Sequence, residues 1–364
     1  MSDRTTRLRF VRLYLAVRSG CRRSKLAVRC KSCREKAVIE IARHNAAYCR
    51  ECFFRYCRRQ VERAIEGLDM MSHADRVLVA VSGGKDSLAL WDILTDLEYS
   101  ADAVYLDLGI GTYSERSRDI AQKYADTKGL KLHTVSIREE HGFGIPEGSK
   151  AANRPTCSLC GMSKRHLLNK FAYEHGYDVL ATGHNLDDEA ATLLANLVRW
   201  DAEYLRRQWP VLPARPGFVK KVKPLIRLQE RETAAYCVLS GIEYVVEECP
   251  LVVGNTQLEY KEALNVLERR SPGTKARLVL GFLNSGHNLL VVANKDDRNA
   301  GDAELGACVR CGSPTPIRRK ATTETASEDG VKEDSLRQNP GPSSHLVCAF
   351  CRESQKIALT ISRR

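Results

Sequence analysis

Residues 77–94 read VLVAVSGGKDSLALWDIL. A short apolar run, Val77 to Val81, ends at Ser-Gly-Gly-Lys-Asp-Ser, and apolar residues then return at helical spacing. This predicts a buried strand, a glycine turn and a helix start in direct succession. Such a turn commits the chain to an α/β unit with its ligands at the carboxyl ends of the strands. Backbone N–H groups and the helix dipole suit an anion there, and Ser82, Lys85 and Ser87 suit a pyrophosphate. Two familiar nucleotide loops are excluded. A Walker A loop requires Gly where Val79 stands and Ser or Thr where Asp86 stands, and no G-x-G-x-x-G follows the strand.

The pattern continues for about 170 residues, with apolar runs at 77–81, 102–108, 131–137 and 178–182. Helical stretches at 86–97, 114–128, 161–175 and 187–199 alternate with them. The expected fold is a doubly wound parallel sheet. A further helical stretch covers 257–285, broken at Ser271-Pro272.

Ten of the 14 cysteines fall into five C-x2-C pairs. Cys30/Cys33 with Cys49/Cys52, and Cys308/Cys311 with Cys348/Cys351, are spaced as two four-thiolate zinc sites. Between the last two pairs lies a polar insertion at about 312–347, rich in Pro, Ser and Thr, that reads as disordered. The fifth pair is different. Cys157, Cys160 and Lys164 share one helical face, and Cys249 follows a strand-like stretch, YVVEE. Three thiolates suit a cubane iron–sulfur cluster with one uncovered iron; a third zinc and a persulfide-forming thiol pair are the alternatives. Cys57 reads as a spare thiol and Cys237 as core. In ATGHNLDDEA, Gly183 and His184 end a strand, and Asp187, Asp188 and Glu189 open a helix. These acids either cap that helix or act as acid/base or metal contacts; His184 reads as structural.

Charge is distributed unevenly. Residues 1–63 hold 18 Lys/Arg and 5 Asp/Glu, a net of +13, while the whole chain carries +12 and the remainder therefore −1. So concentrated a basic segment points to nucleic acid, with a solubilising arm as the alternative. No apolar run is long enough to span a membrane. Arginines interrupt the apolar stretch at the start, so no secretory signal is read, and cysteine pairs then point to metal in a reducing, cytoplasmic compartment.

Taken together, RVLVAVSGGKDSLALWDIL, LGIGTYSERS, CSLCGMSKR, ATGHNLDDEA, EECP, YKEALN and VCAFCR resemble the TtuA-type tRNA 2-thiouridine synthetases. These are pyrophosphate-loop (PP-loop) ATPases related to the archaeal and eukaryotic wobble-uridine thiolases. The resemblance covers about 28–311 and 346–352. It implies an ATP-dependent sulfurtransferase that adenylates the C2 oxygen of a tRNA uridine and replaces it with sulfur, at the T-loop 5-methyluridine. Wobble-uridine 2-thiolation and 2-thiocytidine synthesis are the alternatives. It also implies ATP with Mg held by Ala80, Ser82, Gly83, Gly84, Lys85, Asp86, Ser87, Leu106, Lys164, Gly183 and Asp188, with Lys164 and Asp188 nearest the chemistry. A 4Fe–4S cluster on Cys157, Cys160 and Cys249, two zincs, a ubiquitin-like thiocarboxylated sulfur carrier and a homodimer complete the expectation. Where some relatives place His as the fourth ligand of the first zinc, this chain has Cys52.

The expected order is therefore a basic leader at 1–26, a zinc module with its helix at 27–68, an ATPase domain at 69–290 and a zinc ribbon at 291–364. tRNA-lysidine synthetase shares the loop but uses an amine nucleophile, and the three central cysteines argue against it.

Overall fold

The computed structural model describes residues 28–252, 256–287, 305–316 and 346–363. The leader at 1–26 and most of the 312–347 insertion lie outside the described residues. Two compact units divide the chain, Met1–Cys52 and Phe53–Arg364. In the first, β1 (Ile39–Ile41) pairs antiparallel with β2 (Ala46–Tyr48) through a left-handed turn at Asn45. Its apolar cluster is Cys30, Cys49 and Cys52 with Tyr48 against them. So small a core makes metal the natural source of folding energy. From Arg50 the chain enters α1 (Arg50–Gly67). Phe53, Cys57, Val61 and Ala64 recur at helical spacing on α1 and are buried.

The second unit is built on a six-stranded sheet in the order β5-β4-β3-β6-β8-β7. Its elements follow in sequence: β3 (Val77–Val81), α2 (Lys85–Asp96), β4 (Ala101–Asp107), α3 (Gly111–Lys128) and β5 (Leu132–Ser136). Short helices α4 (Ile137–His141) and α5 (Ile145–Ala152) lead to α6 (Thr156–Glu174), β6 (Val179–Thr182) and α7 (Leu186–Arg199). Then come α8 (Ala202–Arg207), β7 (Val211–Leu212), β8 (Lys220–Val222) and α9 (Glu230–Ser240). After them stand α10 (Thr256–Arg270), α11 (Thr274–Gly281), β9 (Leu305–Ala307), β10 (Pro314–Pro316) and α12 (Ala349–Ile361).

Strands β3, β4, β5, β6 and β8 run parallel, and β7 closes one edge antiparallel to β8. The doubly wound expectation therefore holds, with an antiparallel edge strand added. The central strands read as apolar runs because helices cover both faces. The chain leaves β3 toward β4 on one side, and β6 lies on the other. That reversal of strand order creates a crevice outside the carboxyl ends of β3 and β6, where open α/β sheets bind ligands.

Three local differences from the sequence reading follow from tertiary context. Helix α6 starts at Thr156, ahead of the expected 161, so Cys157 and Cys160 stand in its first turns. The stretch YVVEE, expected as a strand, has no ladder partner; Val245 instead donates one backbone bond to the Gly83 carbonyl at 2.9 Å. The C-terminal cysteines do not stand apart, because Cys308, Cys348, Phe350 and Cys351 share one buried cluster with Phe143, Leu159 and Leu167.

Candidate active site

The glycine turn forms the floor of the crevice. Ser82 N donates to Ser87 Oγ at 3.1 Å, and Ser87 Oγ donates to the Gly84 carbonyl at 3.0 Å, so Ser87 braces the loop from inside. Gly83 has φ +76°, and a Cβ there would meet the Ser117 carbonyl oxygen of α3 at 2.6 Å. Gly183, at the end of β6, is equally constrained, since a Cβ would stand 2.9 Å from Ser87 N. The loop thus packs backbone to backbone on α3, the end of β6 packs on the first turn of α2, and Ala80 and Leu106 lie on β3 and β4.

A network of charges spans the crevice. Lys85 Nζ donates to Asp86 at 3.1 Å and to Glu230 at 2.9 Å. Desolvation opposes its charge, but the Asp86 and Glu230 carboxylates hold the Lys85 pKa above its usual value. Asp86 also accepts from Asn185 at 3.1 Å and from Thr233. Burial raises the Asp86 pKa against the pull of Lys85 and Thr233, and the nearby Asp188 charge adds to the rise. Asn185 caps α7 by accepting from Asp187 N and Asp188 N, while Asp188 accepts from Asn185 N at 3.0 Å. Asp188 is thus a helix cap, with its second oxygen turned 2.6 Å from Lys261 Nζ. Glu230 bridges Lys85 and Lys261, the latter at 3.3 Å.

Cys160 and Cys249 pack, partly buried, against the cluster that holds Leu106, Leu108 and Leu159, and Cys157 lies one turn before Cys160 on α6. Burial pushes the Cys160 thiol pKa up; Lys164 opposes the rise by charge and a hydrogen bond, while Cys249 and Cys157 add to it. Desolvation and then the Cys249 charge likewise raise Tyr113. Cys249 reaches this place along a segment tied to α3 by Arg116–Glu247 at 2.6 Å and Lys123–Glu243 at 2.8 Å. Desolvation, Lys223 and Lys164 hold the His184 pKa below its usual value against Asp188 and Glu189, although the residue remains open to solvent. A cavity of about 370 Å³ between Arg116, Asp119 and Glu243 lies beside α3 instead, and no candidate site residue lines it.

Residues 57–261 match the PP-loop domain family, and residues 29–54 match the N-terminal LIM domain of the 2-thiouridine synthetase TtuA. The chain is 47% identical over 286 residues to the tRNA-5-methyluridine(54) 2-sulfurtransferase of Thermus thermophilus, covering 79% of this chain and 87% of that protein. The chain belongs to the TtuA-type PP-loop ATPases. A protein of the same description from Pyrococcus horikoshii is 46% identical over 256 residues, 70% of this chain and 82% of that one. Wobble-uridine thiolases stand further off. The U34-tRNA thiolase NcsA of Methanococcus maripaludis, solved with its [4Fe-4S] cluster, superposes with a TM-score of 0.65 at 28% identity, covering 76% of this chain and 93% of that one.

In this TtuA-type chain the two groups of four cysteines each bring their sulfurs within 4.8 Å of one another. Tetrahedral zinc with bonds of about 2.3 Å needs sulfurs about 3.8 Å apart; Cys311 and Cys348 stand at 3.8 Å, Cys33 and Cys49 at 3.4 Å. The first knuckles of both groups are one repeated turn: Cys30 N donates to Glu35 O and Arg34 N to Cys30 O, and Cys308 N donates to Ser313 O and Gly312 N to Cys308 O. Burial opposes ionisation of Cys30 and Cys308, yet backbone N–H donors from the knuckles hold each down at about 6. Both sets fit a cation that selects thiolate.

Cys157, Cys160 and Cys249 do not form so tight a set. A cubane binds each thiolate through a different iron, so looser spacing fits it better than a single ion. Glu230 and Lys261 were not singled out as site residues from sequence. Lys261 lies inside YKEALN, and that motif was the one available signal.

Proposed function

We propose that this chain is an ATP-dependent tRNA uridine 2-sulfurtransferase acting on the T-loop 5-methyluridine. The observation that carries this reading is the charge network that joins the Ser82–Ser87 loop, through Lys85 and Asp86, to Asp188 at one strand switch point, in a chain of the TtuA-type family. Loop N–H groups, Ser82 and Lys85 hold the phosphates of ATP, with Ser87 bracing the loop behind them, and Asp86 and Asp188 suit its divalent cation. The uridine C2 oxygen attacks the α-phosphorus and pyrophosphate leaves. Sulfide then adds at C2, and the C2–O bond breaks to release AMP. Lys164 steadies charge on the transferring groups, and Asp188 at the head of α7 orients them.

Cys157, Cys160 and Cys249 would hold a 4Fe–4S cluster, which supplies a site where inorganic sulfide is kept available as a nucleophile. Burial holds the Cys160 thiol pKa above its usual value, Lys164 favours its thiolate, and Cys249 and Cys157 add to the rise. We assign zinc to each four-cysteine group, a ubiquitin-like thiocarboxylated protein as sulfur donor, a homodimer as the working assembly and the cytoplasm as its place. No helix among the described residues is long and apolar enough to cross a membrane.

Anaerobically purified protein should carry about four irons per chain, and Cys249→Ser should lose them while keeping both zincs. Asp188→Asn should lose turnover with the melting temperature retained. Nucleosides from cells lacking the gene should lack 2-thio-5-methyluridine; loss of a wobble thiouridine instead would move the reading to the wobble thiolases.

A further inference from the structure

The YKEALN stretch lies on α10, far from the phosphate loop in sequence. It presents Lys261 and Asn265, one turn apart, to the head of α7. Lys261 holds Asp188, and Asn265 accepts from Lys275, which is itself paired with the neighbouring acid Asp187. Lys261 also reaches Glu230 Oε2, whose other oxygen holds Lys85. An unbroken chain of charge therefore runs Lys85–Glu230–Lys261–Asp188. Lys261 and Lys85 are each about three-quarters or more covered, so water screens these pairs less than it would at the surface.

Desolvation pushes the Glu230 pKa up, but Lys85 and Lys261 together hold it below the usual value, so Glu230 is an anion shared by two cations. Phosphate oxygens at the loop compete for the Lys85 ammonium. When they draw it away, the Glu230 charge falls wholly to Lys261, and the share of Lys261 left for Asp188 declines. We propose that Glu230 and Lys261 are positioning residues that couple phosphate binding at Lys85 to the freedom of Asp188. The inference rests on the nucleotide-site reading above, and its sign is fixed by charge: Glu230 competes with phosphate for Lys85, and Lys261 relieves that competition by sharing Glu230.

The test measures affinity for an α,β-non-hydrolysable ATP analogue on the full chain without divalent cation, so that the release of Asp188 as a metal contact does not enter. Glu230→Gln should bind it about fivefold more tightly, and Lys261→Met about fivefold more weakly, as for directly coupled pairs. In the double variant the Lys261→Met effect should vanish, since it passes through Glu230. Both single variants should lower kcat for thiolation, and Lys261→Arg should restore it. Equal weakening by Lys261→Met in both backgrounds would overturn the coupling and leave two independent charges. Coupling without any thiolation by the wild type would overturn the sulfurtransferase reading alone.

Discussion

Gly83 shows how one residue sets the geometry of the phosphate loop. Its φ of +76° costs an L side chain about 1–2 kcal/mol. The Ser117 carbonyl, 2.6 Å from a would-be Cβ, is rigid helix backbone and has nowhere to go. Gly83 O also accepts from Val245, so a displaced loop pulls on the segment that leads to Cys249. Gly83→Ala should therefore weaken ATP binding by at least about tenfold and lower stability by about 2 kcal/mol. Nucleotide titration beside a denaturant melt reads both; native ATP affinity would mean that the loop has slack. The knuckle turns repeat the same backbone need, at Arg34 with φ 68° and at Gly312 with φ 70°.

Among elements, the junction that places Asp188 is held by a buried ion pair. Helix α11 delivers Lys275, 3% exposed, to Asp187, 6% exposed, at the head of α7. The other Asp187 oxygen accepts from Glu230 N at 3.0 Å, so one carboxylate joins the starts of α7 and α9. Removing one partner of such a pair leaves an uncompensated charge and costs about 3–5 kcal/mol. Lys275→Met should destabilise by that amount and strip hydrogen-exchange protection from α10 and α11 before the sheet opens. An unchanged unfolding midpoint would show that Asp187 finds another cation.

At the scale of the whole molecule, the positive excess lies at one end of the chain. Some of it is spent internally: Arg58 pairs with Asp96 at 3.1 Å. Arg59 and Arg63 are exposed and one turn apart on α1. They are the better candidates for phosphate contacts. Each phosphate neutralised releases counterion, so reversing both to Glu should reduce the salt slope of tRNA binding by about 2 and leave ATP affinity intact. A slope equal to that of the wild type would move the tRNA surface elsewhere.

The strand, glycine turn and helix over 77–94 were legible in sequence because they are local: apolar period, turn chemistry and capping lie within a few residues of each other. The same holds for the knuckles, where metal geometry demands C-x2-C, and for the helix break at Ser271-Pro272. Lys85 and Glu230 stand 145 residues apart, and only the packing of α9 beside α2 decides that they meet. YVVEE has strand composition but no neighbour with which to form a ladder, so tertiary contact with α3 and Gly83 settled its course. The short strands β7 and β8 and the early start of α6 were likewise chosen by their neighbours. Local propensity names the parts of this site. Which charge faces which is a property of three-dimensional packing, because an ion pair has no sequence period.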